Sequence, residues 1–166
     1  SWAFIVHRLD RETSGVMVLA KHKWHKEYLQ EQFANREVHR IYHALAEGKP
    51  EKSIGTIHEW LLEDKFLKVK AVKKNHPRAR EAITHYSVED NDDFASLIQL
   101  TIETGRRHQI RVGLANLGCP VIGDEAHGAE GNPIGRIALH ASSLEFLHPE
   151  TDDPVRFEAP IPFGPE

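Results

Sequence analysis

Two polar clusters in this 166-residue chain carry side chains able to do chemistry together. The first, His7-Arg8-Leu9-Asp10-Arg11-Glu12-Thr13-Ser14-Gly15, lies between two apolar runs. A carboxylate held among cations is favoured in its charged form, so Asp10 between Arg8 and Arg11 suits a nucleophile or a general base. The same residues also suit a turn in which Asp10 and Thr13 cap backbone groups. The second cluster, Thr104-Gly105-Arg106-Arg107-His108-Gln109-Ile110-Arg111, is a glycine turn running into a helix start with three arginines. Arg106 and Arg107 fall where helix N-terminal amides point outward, which suits phosphate oxygens. Arg107 and Arg111, four residues apart on one helix face, allow one of the two to meet a buried carboxylate. Taken alone, the segment is equally a solvated basic helix end.

The other chemically capable residues point to less. None of the 12 histidines falls in a C-x-x-C or H-E-x-x-H context, so hydrogen-bonded or surface histidines are expected and a metal-dependent hydrolase is disfavoured. Cys119, the single cysteine, reads as a small packing residue, Trp24 and Trp60 as core, and Tyr42 as a strand tyrosine. The formal charge of -4 argues mildly against a nucleic-acid partner, but residues 65–80 hold seven Lys or Arg and no acid. Such a segment can bind phosphate locally or be a solvated loop. With no intramolecular disulfide possible, no opening signal segment and no bilayer-length apolar run, a soluble protein in the reducing cytoplasm is expected.

These clusters need elements to position them. Trp24, Tyr28, Leu29, Gln32 and Phe33, at spacings of three and four without Pro or Gly, predict an amphipathic helix over 23–35 that covers a sheet. A second helix is expected over 108–117, stopped by Gly118 and Pro120. Alternating or β-branched runs predict strands at 4–6, 16–20, 40–46, 55–61, 67–72, 82–88, 95–102, 137–146 and 155–158. Strands outnumber helices and connect mostly as hairpins. The chain therefore reads as one α+β domain, with a mixed, mainly antiparallel sheet and a few flanking helices.

The two clusters also occur together in a known family. His7 to Gly15 resembles the catalytic motif of the RluA family of pseudouridine synthases, and Thr-Gly-Arg-Arg-His-Gln-Ile-Arg-Val at 104–112 resembles its later active-site motif. Between them Arg40-Ile41-Tyr42 resembles the family's basic-x-Tyr element. Weaker framework likenesses lie at 82–86, 118–124, 139–141 and 157–160. The order is kept across nearly the whole chain.

The resemblance implies a pseudouridine synthase catalytic fold and an isomerase that converts specific uridines of ribosomal or transfer RNA to pseudouridine. Asp10 would attack the ribose or abstract its proton. Tyr42 would pack on the base and could accept the C5 proton. Arg111 would form a buried ion pair with Asp10, Ile110 would line the base pocket, and Arg8 would fill the space left by the flipped nucleotide. Arg40, Arg106 and His108 are expected to contact the RNA. No metal, organic cofactor, membrane or obligatory protein partner is implied. Members normally carry several dozen residues before the first motif, so an N-terminally shortened catalytic domain is expected. Gly113 stands where the motif usually has a further polar residue. The competing reading is an RNA-binding domain that keeps this fold without activity.

Overall fold

The computed structural model describes residues 2–164. Helix α1 (Lys23–Ala34) buries His25, Leu29 and Gln32, one stripe at helical spacing. Trp24 lies off that stripe and is 52% exposed, so it is not core as expected. It packs edge-on against the His25 ring instead. Helix α2 (Gln109–Asn116) is short and almost wholly buried, and Leu117 and Gly118 close it with backbone bonds to Gly113 and Ala115.

The strands are β1 (Phe4–Ile5), β2 (Ser14–Gly15), β3 (Leu19–Ala20), β4 (His39–Glu47), β5 (Ile54–Glu63), β6 (Val69–Val72), β7 (Arg80–Asn91), β8 (Ala95–Ile102), β9 (Leu139–Leu147) and β10 (Pro154–Glu158). The main sheet runs β10-β9-β4-β8-β7-β5-β6, every neighbour antiparallel, with β2 added parallel to β9. This is the expected α+β architecture. Of the strand expected at 16–20 only Leu19–Ala20 forms, and a separate short strand, Ser14–Gly15, precedes it. Gly15, at φ +126°, carries the chain so close to β9 that a Cβ there would stand 2.2 Å from the Ala141 carbonyl oxygen. Val16 then donates to that carbonyl at 2.9 Å, and only Leu19 and Ala20 turn to pair with β1.

Alternation along β4 fixes which face is dry. Tyr42 is opposite Leu100 of β8 and Arg40 is opposite Leu144 of β9, so these four share one face. On it α2 packs Ile110 and Leu114 against Ala44, Ala46, Ile98 and Leu100, while α1 packs Leu29 against Leu144 and Phe146. Burying each such Ile or Leu contributes about 1.5–3 kcal/mol. Gly113 belongs to this packing, since a Cβ there would lie 3.3 Å from Ile57 of β5. The opposite face is polar. There His43 bridges Ser142 and Glu89, His85 bridges Thr56 and Glu103, and His58 meets Glu81, which is how several histidines are satisfied.

Candidate active site

Between α1 and α2 the apolar face of β4 opens into a cleft of about 610 Å³. Arg8, Asp10, Arg40, Tyr42, Arg106, His108 and Ile110 all line it. Seven of the eight residues singled out from the sequence thus converge, from three distant segments. The eighth, Arg111, lies behind the wall.

The loop carrying Asp10 is clamped at both ends. At its start His7 stacks on Phe33 at 4.7 Å and its Nε2 accepts the Val18 N–H at 3.1 Å. Burial, with the nearby Arg40 charge adding to it, lowers the His7 pKa to about 4, so the ring is a neutral acceptor. At the loop's end Arg136 donates to Ser14 Oγ (2.7 Å), Ser14 donates to His140 Nδ1 (2.8 Å), and His140 Nε2 donates to the Ala159 carbonyl (3.0 Å). The guanidinium has no acceptor and the carbonyl no donor, so a ring carrying one proton holds it on Nε2 and accepts from Ser14 at Nδ1. Thr13 N–H closes a turn on the backbone carbonyl of Asp10 at 2.9 Å. The Asp10 side chain does not take part, and its carboxylate has no ion-pair partner among the described residues.

The floor and walls are cationic and aromatic. Burial pushes the Tyr42 phenol up, the Arg40 charge opposing and the Asp10 charge adding to the shift. Arg40 lies over the Phe33 ring at 5.3 Å, and its Nε is buried without a hydrogen-bond partner among the described residues. Gly105 makes room for it, since a Cβ there would approach Arg40 Nη1 to 2.9 Å. Arg106 turns its Nε to the Glu81 carbonyl (2.8 Å), and its own amide is taken by Gln109 Oε1 (3.1 Å). That amide is therefore not free for phosphate.

The expected ion pair of Asp10 with Arg111 is corrected. Arg111 instead grips Asp124 through two parallel bonds, Nε to Oδ2 at 2.9 Å and Nη2 to Oδ1 at 2.7 Å. Asp124 is fully buried on the 121–124 turn beside α2, where an uncompensated charge would be far costlier than on the open Asp10 loop. Nη1 of Arg111 donates to His108 Nε2 at 3.1 Å and lies 3.5 Å from Glu12. His108 Nδ1 must then carry the proton that bonds His127 Nε2, at 3.2 Å. Burial first, then the Arg111 charge, lowers the pKa of His108. Burial also lowers that of His127, with the Asp124 charge opposing. Asp10 remains within the field of Arg111.

One further expectation changes. Arg107 is not on α2 but precedes it, because His108 takes a left-handed conformation (φ 56°) that swings the chain before the helix starts; Arg107 faces Glu63 at 3.6 Å instead. Asp124, His127 and Glu12 received no role from the sequence. Asp124 had only its place in a framework segment, and nothing local marks it as buried. Among the described residues no group of three or more His, Cys, Asp or Glu could hold a metal ion, and no helix is long and apolar enough to cross a membrane.

Known proteins resemble this chain in sequence and in fold. A sequence profile described as RNA pseudouridylate synthase matches residues 2–116. The chain is 40% identical over 159 residues to the uncharacterized RNA pseudouridine synthase YhcT of Bacillus subtilis, covering 95% of this chain and 52% of that protein. It is 37% identical over 174 residues to the ribosomal large subunit pseudouridine synthase D of Xanthomonas campestris, covering 96% and 52%. It thus spans about half the length of these relatives. The fold superposes on the human RNA Pseudouridylate Synthase Domain Containing 1 structure with a TM-score of 0.86 and 27% identity, covering 99% of this chain and 71% of that one. Domain Containing 4 gives a TM-score of 0.81, also at 27% identity, covering 96% and 72%. The chain belongs to the RNA pseudouridylate synthase family, in its RluA group, and carries that family's α+β fold.

Proposed function

We propose that this chain is the catalytic domain of a cytoplasmic enzyme that isomerises particular uridines of ribosomal or transfer RNA to pseudouridine, with Asp10 as the catalytic carboxylate. The observation that supports this best is the meeting of Asp10, Tyr42, Arg40 and His108 in one cleft. A uridine inside a helix cannot present C1′ and C5 together, so it must be flipped out, at a cost of a few kcal/mol. Arg8 fills the vacated place, and Tyr42 with Ile110 forms the wall against which the uracil stacks. Asp10 attacks the ribose or takes its proton as the glycosidic bond breaks. The detached uracil carries negative charge, which the Arg111 cation, fixed by Asp124 and His108, stabilises by its field. The ring turns and rejoins through C5. Because burial keeps Tyr42 protonated at neutral pH, the phenol can relay the C5 proton only by giving up its own.

Asp10→Asn tests the assignment, since it removes charge and keeps size. Tritium release from RNA labelled at uridine C5 should vanish while RNA affinity stays within a small factor. Retained single-turnover release would remove Asp10 from this role. RNA binding by the wild type without any release would favour an inactive binding domain. Pseudouridine mapping of total RNA with and without the protein identifies the uridine.

A further inference from the structure

A second groove, of about 390 Å³, continues from the cleft and shares Gly105, Arg106 and Arg107 with it. Its far side is Arg78 and Arg80, and its wall is Leu61, Glu63 and Val69, at the turn end of the hairpin between β5 and β6. Arg78 and Arg80 are exposed, and neither has an acidic partner within 4 Å among the described residues. The cations crowd one another, since after burial the Arg80 and Arg36 charges lower the pKa of Arg106. Among the described residues Glu63 is the one acid in the lining, and Arg107 faces it. Four arginines held together in a groove, on a molecule of net charge -4, make a local site for polyanion.

The hairpin tip adds a different chemistry. Phe66 is 71% exposed and Leu67 54% exposed, with lysines at 65 and 68 on either side. Leu67 sits at φ 63°, and the Asp64 carboxylate holds the tip by accepting the amides of Phe66 (2.8 Å) and Lys68 (3.0 Å). Lys65 Nζ lies 5.2 Å from the Phe66 ring centre. An exposed ring between cations suits an unpaired base stacked beside its own phosphates.

We propose that this groove seats the single-stranded RNA backbone flanking the target uridine, Arg78 and Arg80 binding its phosphates and Phe66 stacking one unpaired base. The inference rests on the pseudouridine synthase reading for its substrate, but its binding test does not. A phosphate track leaving the cleft makes affinity depend on strand length. It also lets the hairpin choose sites by whether the flanking nucleotides are unpaired.

The test uses the full protein and a fluorescein-labelled 24-nucleotide oligouridylate, titrated at several salt concentrations. Arg78→Glu with Arg80→Glu should weaken binding at least ten-fold. It should also flatten the slope of log affinity against log salt by about 0.7 for each phosphate that is no longer neutralised. Phe66→Ala should weaken binding about five-fold or more with the slope unchanged. Lys49→Glu with Lys52→Glu, equal in charge but beyond the far end of β4, is the control. Melting temperatures confirm that every variant folds. Groove variants that bind like the control overturn the proposal. Tritium release adds an independent arm, in which groove variants should raise KM and keep kcat. If Asp10→Asn abolishes release while the groove variants match the control, this inference fails and the enzyme reading stands. If Asp10→Asn stays active while the groove variants lose affinity, the reverse holds.

Discussion

At the scale of single residues, the site rests on which carboxylate each cation meets. Arg111 is committed to Asp124 by two bonds and to His108 by a third, leaving Asp10 in the cleft without an ion-pair partner among the described residues. Arg111→Met strands a fully buried acid and should cost roughly 3–5 kcal/mol in urea unfolding. Arg111→Met with Asp124→Leu should recover part of that stability but no activity, a non-additivity that identifies the partner. If Arg111→Met costs the same in the presence and absence of Asp124, the pair is not what holds the arginine. His7 carries a pH dependence. Its folded pKa of about 4 lies below the unfolded value of about 6.5, so the unfolded chain binds the proton more readily. The stability tied to neutral His7 is therefore complete above about pH 6.5, falls as pH drops, and is lost by about pH 4. His7→Gln, which keeps an acceptor for Val18, should flatten the melting temperature between those limits, and an unchanged acid limb would assign the loss to other groups.

At the scale of elements, the Asp10 loop is positioned by β2 lying against β9, and Gly15 permits that approach. Gly15→Ala must place a methyl group onto the Ala141 carbonyl at a φ that L-residues avoid. It should destabilise by more than about 1 kcal/mol and lower turnover more than RNA affinity, since the Asp10 loop moves while the basic surface stays. Gly131→Ala, in open space without a positive φ, should stay within about 0.5 kcal/mol. Equal melting temperatures for the two variants would show that β2 is not the anchor. The α2 start works similarly. A left-handed His108 gives up helical geometry before the first turn, and this aims its ring at both Arg111 and His127.

At the scale of the molecule, charge is divided by place rather than by total. The net charge is -4, yet Arg78, Arg80, Arg106 and Arg107 gather in the groove that adjoins the cleft, a local field that favours polyanions. The chemistry proposed for the cleft uses a carboxylate, a phenol and a fixed guanidinium. Turnover on an RNA substrate kept in monovalent salt should accordingly persist in excess EDTA. Loss that added zinc restores would require a metal in the mechanism.

How much of this was legible in the chain follows from what one-dimensional patterns record. Period and breakers specify which residues are buried along a segment, so both helices and nearly all strands are readable to within a few residues, and with them the α+β class. The two polar clusters are readable because they concentrate charge between apolar runs, whereas Tyr42 alone reads as a strand tyrosine and gains a role only from the order in which the family resemblance places it. Pairing is not recorded that way. Several acids were available to Arg111, and only the turn at 121–124, packed against α2, made Asp124 the dry one that requires a bidentate cation. Trp24 reads as apolar but lies a third of a turn off the stripe that α1 buries. The 16–20 run has strand composition, yet Gly15 commits its first residues to β9. The groove beyond the cleft joins residues 61–69, 78–80 and 105–107 by sheet order alone. Local composition set the elements and the reactive groups; the tertiary fold decided their partners, because desolvation, which selects partners, depends on what is packed around a group and not on its neighbours in the chain.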